Sequence, residues 1–397
     1  MSFLKKKMIW LCCLALIVIN SLPWFQLLPM YNILLFCVAL FFILLLFSCV
    51  NLKTKKEIVP PLIILLFIFL FATIGNNGGL RNGYLTYSAA LFLPILYTGI
   101  NNDVKKVLES AFIVSLPIIA ITCVFTIAGC LIYPYASRRA DFYTEEGPML
   151  MAQGVGGYSF IYGLIFLVMD CIFLIYSEKK RNIRFLYIVL LCLACITIFL
   201  SNFTTAVLTL ILSVGLLLLV LIRLRIISRG KIMLLGIAAI AFVVFKGFSV
   251  DLSSGEGRIA QIFADNNKST ASAITDEFSE DRGPLIIESW NGVCNSPLLG
   301  NALFISYEDN NSKFFGYHSF ALDSWSLFGL FGVLFIYYMI RPILKRIKYS
   351  KKPLVATAYL VPLIIVLSLN NYCYFMLPTL YLFGLYSIER FENCLVK

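Results

Sequence analysis

Charge is scarce in this sequence: 13% of its 397 residues are Asp, Glu, Lys or Arg, against 60% hydrophobic residues. A soluble domain carries about 25% charged residues, so a soluble globular chain is excluded and a polytopic membrane protein is left. Histidine is scarcer still, with His318 alone. One imidazole and no clustered outward thiols leave only carboxylates for a metal, which suits at most a cation held together with substrate phosphates. No metal site of the protein's own and no cofactor are therefore expected. Acids and bases are nearly absent from the middle of the apolar runs, where Asp170 is the main candidate and Asp323 lies shallower. That scarcity argues against ion-driven transport, as does the lack of an internal repeat. A small-residue cleavage site is missing after Met8–Leu22, so this first run is expected to be retained as a helix. The twelve cysteines do not make a framework, because most lie singly in apolar runs and read as free thiols. Cys192 and Cys195 have CxxC spacing without a second pair. Cys294 and Cys373 are the main outward candidates for a disulfide, which the rest of the pattern does not favour.

What the sequence does have is hydrophobic runs of about 20 residues, recurring from end to end. They predict an all-α membrane protein with about 12 spans: 8–23, 29–50, 58–75, 85–100, 107–133, 157–177, 185–201, 205–222, 232–250, 318–340, 354–370 and 374–390. Basic residues set the orientation. With both termini in the cytoplasm, 24 of the 32 Lys and Arg face inward, in clusters such as Lys5–Lys7, Lys53–Lys56, Lys179–Arg184 and Arg341–Lys352. The net charge of +11 is thus a topology signal, and no nucleic-acid partner is expected. The chain divides into nine spans with short loops (1–250), one large outer loop (251–317) and three C-terminal spans (318–397).

Eight cations remain outside, and their positions are informative. Arg81 lies in a Gly/Asn-rich turn, and Arg138 and Arg139 in the segment 134–157. Arg258 and Arg282 lie in the large loop, which also holds ten of the 21 acids. Within that loop Asp281-Arg282-Gly283-Pro284 starts a short helix with Trp290 on its apolar side, suited to the membrane interface. Arginines on a face that is otherwise depleted of cations point to a bound anion, since the guanidinium fork matches phosphate. Glu288, Trp290, Tyr143 and Tyr158 are residue types that bind sugar hydroxyls or stack on sugar faces.

The stretch from Phe314 to Gly332 joins the large loop to a span. On a helix beginning near His318, the residues His318, Leu322, Trp325, Gly329 and Gly332 share one face, and Ser319, Asp323 and Ser326 form a polar stripe beside it. Gly329 and Gly332 read as packing residues. Asp323 reads either as a packing group bonded to Ser319 or Ser326, or as part of a site.

The run His318-Ser319-Phe320-Ala321-Leu322-Asp323, followed by Gly329-Leu330-Phe331-Gly332, resembles the signature of the O-antigen polymerase and ligase superfamily, above all the Wzy-type polymerases of capsular and other surface polysaccharides. Arg282-Gly283-Pro284, Trp290 and Ser296-Pro297-Leu298-Leu299-Gly300 resemble the segment that precedes it there. Asn202-Phe203-Thr204-Thr205 is similar to a polymerase-like version of a further segment. The resemblance implies a metal-independent glycosyltransferase at the outer face of a bacterial cytoplasmic membrane, which polymerises oligosaccharide repeat units linked to a polyprenyl diphosphate. Donor and acceptor would both be lipid-linked glycans, with membrane lipids and a chain-length regulator as further partners. His318 and Arg282 are the expected catalytic residues. Arg138, Arg139, Arg258, Arg81, Asp323, Trp290 and Glu288 are expected to hold diphosphate or sugar. A ligase of the same superfamily and a lipid-linked oligosaccharide flippase are the alternatives. The chain lacks the arginine that ligases commonly carry near Phe203, and Gly300-Asn301-Ala302 stands where the pattern is Gly-x-Gly.

Overall fold

The computed structural model describes residues 2–74, 91–140, 144–226, 283–303, 319–350, 352–369 and 376–395. No strand occurs among them. The helices are α1 (Phe3–Ser21), α2 (Pro23–Gln26), α3 (Tyr31–Phe47), α4 (Leu52–Ile74), α5 (91–99), α6 (Asn102–Ile132), α7 (Ala136–Arg139) and α8 (Gly147–Ala152). They continue with α9 (Tyr158–Ser177), α10 (Arg181–Leu200), α11 (Thr204–Arg223), α12 (Gly283–Asn295), α13 (Phe320–Tyr349), α14 (Pro353–Leu369) and α15 (Met376–Leu395). Six of them, α4, α6, α9, α10, α11 and α13, are long and apolar enough to cross a membrane, and α3 and α14 are shorter apolar helices. Backbone amides in lipid must be satisfied within the segment, which is why near-continuous apolar sequence folds here as helices. Such a set of helices makes this a multi-pass membrane protein. Each predicted span has a helix over it except 232–250, which lies outside the described residues.

α9 is the most enclosed of the six, with 78% of its apolar window buried against 28% for α4 and α10. It packs on α10, α11, α14 and α15. Its acid, Asp170, is fully buried and accepts a 2.6 Å hydrogen bond from Ser387 Oγ on α15. The deepest acid in the sequence thus ties two helices together.

Ion pairs gather at one end of the bundle. Lys6 of α1 meets Asp103 of α6 at 2.9 Å, and Lys345 of α13 meets Glu57 of α4 at 2.6 Å. Glu389 of α15 takes Lys105 of α6 at 2.7 Å and Arg346 of α13 at 2.6 Å. Arg390 joins Glu109 of α6 and, at 2.7 Å, Glu178 after α9. The starts of α1, α4 and α6 and the ends of α9, α13 and α15 therefore lie together. These are the helix ends that the sequence assigns to its basic face.

At the opposite end the stretches 133–140 and 144–157 pack together. Ala136, Ala140, Leu150, Met151 and Val155 bury against Cys130 at the end of α6 as a satellite core. Trp24 Nε1 donates to the Ala152 carbonyl at 2.7 Å, which pins α8 beside α2.

One predicted span is corrected. The sequence reads 318–340 as one continuous helix beginning near His318, whereas α13 begins at Phe320, with Ser319 extended (φ −136°) and its hydroxyl accepting from the Leu322 amide. At Gly329 the backbone leaves helical geometry (φ 55°, ψ −134°). Residues 320–328 (α13a) then double back on 330–349 (α13b). Phe320 and Phe335 would be about 22 Å apart along a straight helix, yet their ring centroids are 6.4 Å apart. The predicted stripe from His318 to Gly332 is consequently not a single helix face.

Candidate functional site

The break in α13 is built from two stretches far apart in sequence. After α12 ends at Asn295, the turn 296–302 runs along the break and takes up the backbone groups that a broken helix releases. Leu330 N donates to Leu298 O at 2.9 Å, Ala302 N to Leu327 O at 2.9 Å, and Asn301 N to Ser326 O at 2.9 Å. Gly300 (φ 74°) and Gly329 (φ 55°) face each other across this contact. A Cβ on Gly329 would strike the Leu298 carbonyl, and one on Gly300 the Leu327 carbonyl, so backbone meets backbone with no room between. Gly332 serves the same fold-back, because a Cβ there would meet the Ser324 carbonyl. The packing role read for Gly329 and Gly332 is what the structure has.

Over this junction lies a patch of small polar side chains. Ser289, Asn301, Ser319, Asp323, Ser324 and Ser326 are all buried. Ser289 Oγ of α12 donates to Asp323 Oδ1 of α13a at 2.6 Å. Asp323 therefore reaches across to another helix. Asn301 Nδ2 donates to Gly292 O and Ser326 O, both at 2.8 Å, and its Oδ1 accepts from Asn295 Nδ2 at 2.9 Å. Beside the patch, Trp290 and Trp325 meet edge to face at 6.3 Å, and Trp325 Nε1 donates to Pro297 O at 3.1 Å.

α12 turns Trp290 and Ile287 outward, at 50% and 57% exposed. Ser289, Gly292 and Val293 are buried instead. Glu288 is half-buried on the same helix.

A second group forms where α7, α9 and the α10–α11 turn meet. Arg138 lies over the Phe203 ring at 5.9 Å, and Tyr158 and Tyr162 approach that ring edge-on at 5.8 and 6.0 Å. Asn202 takes a left-handed conformation (φ 57°), and its Nδ2 donates to Pro134 O at 2.8 Å, which places Phe203 against α7. Arg139 is turned elsewhere. It pairs with Glu146 at 2.7 Å and lies over Tyr133 at 5.5 Å. The hydrogen bond to Glu146, followed by that carboxylate's charge, holds the Arg139 guanidinium above its ordinary pKa.

The structure thus brings Trp290, Glu288 and Asp323 into one unit, α12 with α13a, and sets Arg138 and Arg139 in another, α7 with its neighbours. His318, Arg282, Arg258 and Arg81 lie outside the described residues, as do Tyr143 and Cys373. The residues 304–318 immediately precede Ser319, so α12 begins one residue after Arg282 and the cap of α13 follows His318 directly. Sequence reasoning missed Ser289 and Asn301, whose partners are remote in the chain, and Phe203 as the platform for Arg138. Among the described residues no three His, Cys, Asp or Glu side chains gather as a metal-binding group. No family model matches this chain, and no curated protein matches it.

Proposed function

We propose that this protein is a membrane glycosyltransferase that polymerises oligosaccharide repeat units linked to a polyprenyl diphosphate into a surface polysaccharide, at the outer face of a bacterial cytoplasmic membrane. The observation that carries the reading is the junction at Gly329. Two of the stretches that bear the family resemblance, Ser296–Gly300 and Gly329–Gly332, are separated in sequence yet meet backbone to backbone there. They frame hydroxyls, a carboxylate and a tryptophan pair, groups that suit a sugar, at the end of the bundle away from the ion-pair network.

In the reaction an acceptor sugar hydroxyl attacks the anomeric carbon of the donor. A glycosidic C–O bond forms, the C–O bond to the diphosphate breaks, and the polyprenyl diphosphate leaves with the bonding electrons. His318 takes the hydroxyl proton as general base, the role for which an imidazole is suited near neutral pH. Arg282 and Arg138 offset the charge that develops on the leaving diphosphate. Arg139, already paired with Glu146, contributes less.

Cells lacking the protein test this. Lipid-linked single repeat units exposed on the outer face, without long polymer, are the expected result; units trapped on the inner face would instead identify a flippase. His318→Ala at normal membrane levels should abolish polymer, and unimpaired long chains would refute the role of His318.

A further inference from the structure

The junction depends on a side chain that belongs to neither helix. Asn301 is 1% exposed, and its hydrogen-bonding capacity is engaged on three sides. Its two Nδ2 hydrogens go to carbonyls on different elements, Gly292 of α12 and Ser326 of α13a. Because both partners are carbonyl oxygens, the amide is oriented by chemistry: the nitrogen must face them and the oxygen must face Asn295 Nδ2. Its backbone N–H goes to Ser326 O as well. That carbonyl, released by the nearby break at Gly329, is satisfied twice by one residue. Ser289–Asp323 is a further side-chain hydrogen bond between the two helices, and Ser289 Oγ also has the Leu285 carbonyl within 3.2 Å on its own helix. The serine has a local partner to fall back on. An apolar side chain at position 301 leaves Gly292 O with only the Ser296 amide at 3.2 Å and Ser326 O with only the backbone amide of residue 301, so the side-chain bridge between α12 and α13a is lost.

We propose that Asn301 is a positioning residue: it fixes α12 against α13a, and glycosyl transfer depends on the spacing it sets between Glu288 and Trp290 on one side and Ser319 and Asp323 on the other. This rests on the glycosyltransferase reading for its second half only. The clamp itself is a statement about two helices. Binding groups displaced by about 1 Å lose up to about 100-fold in rate, so the expected signature is a loss in turnover with substrate affinity largely kept.

The test uses the full-length protein in lipid nanodiscs. With Trp290→Cys and Trp325→Cys in a Cys294→Ser background, a short bifunctional thiol reagent should link α12 to α13a rapidly, and adding Asn301→Ala should slow linking at least about fivefold. Unchanged linking overturns the clamp. In tryptophan-intact protein supplied with lipid-linked repeat units, Asn301→Ala should lower kcat about 10- to 100-fold with KM within about twofold. Linking that slows while kcat stays at the native value overturns the positioning role. Asn301→Asp gives a pH readout that general destabilisation would not. Its carboxylate opposes two carbonyls, and only the protonated acid can donate to one of them, so its activity relative to the native protein should rise as pH falls. A flat ratio counts against the donor role. If the native protein transfers no sugar at all, the enzymatic reading fails, and the linking assay still decides whether the clamp exists.

Discussion

Arg138 and Arg139 are adjacent in sequence and differ in surroundings. Arg139 is engaged by Glu146 in an exposed pair, which solvent screens. Arg138 lies over the Phe203 ring at 5.9 Å, which orients its guanidinium plane. Replacing Arg139 by Ala is therefore expected to leave polymer length and yield within about twofold. Arg138→Ala should lower kcat/KM about tenfold or more, the loss of one charge-assisted contact. Arg138→Lys should recover little of it, because the stack and the fork go together. Chain-length profiles of the polymer on gels check all three.

At the scale of elements, the break in α13 makes the sharpest demand on sequence. Gly329→Ala combines a left-handed φ with a Cβ driven into the Leu298 carbonyl, and neither can relax without opening the turn. It should cost more than about 3 kcal/mol, seen as loss of folded protein or a large fall in Tm. Gly215 of α11 is the contrasting case. A Cβ there has nothing within 4 Å, so Gly215→Ala should be neutral or stabilising by up to about 1 kcal/mol through helix propensity alone. If the two variants melt alike, the fold-back at Gly329 is refuted. The sequence showed both glycines of the 329–332 pair and their packing use. It did not show the break, because a glycine inside an apolar run is equally compatible with a straight helix that packs closely. What decides is the turn at 296–302, which supplies hydrogen-bond partners from outside the helix, and local periodicity carries no trace of it.

Over the whole molecule, the ion-pair network closes one end of the bundle. Glu389 receives Lys105, Arg346 and, at 3.2 Å, the Tyr97 hydroxyl, with its side chain 24% exposed. Glu389→Ala would leave Lys105 and Tyr97 without that acceptor, and after allowance for partial solvation it should cost about 2 kcal/mol, measured by thermal unfolding in nanodiscs. The network also gives a topology test. Single cysteines at Lys348 and at Arg139 sit near opposite ends, so an impermeant thiol reagent applied to intact cells should label the Arg139 position and reach the Lys348 position only after permeabilisation. Labelling of both from outside would refute the orientation.

The sequence by itself determined the helical membrane class, the approximate position of most helices and the gathering of basic residues at one end. Each of these follows from apolar run length and charge, which act locally and survive in composition and order. The face that α12 presents, the doubling back of α13, the pairing of Arg139 with Glu146 and the three-way engagement of Asn301 were decided by tertiary structure alone. In each the partner lies on another element or across a turn. Burial in a helix bundle rewards close fit over hydrophobicity, since lipid solvates large apolar side chains as well as protein does. Ser289 and Gly292 are buried on α12 while Ile287 and Trp290 turn out, and which face of α12 meets the rest of the protein is not legible in its hydrophobicity pattern.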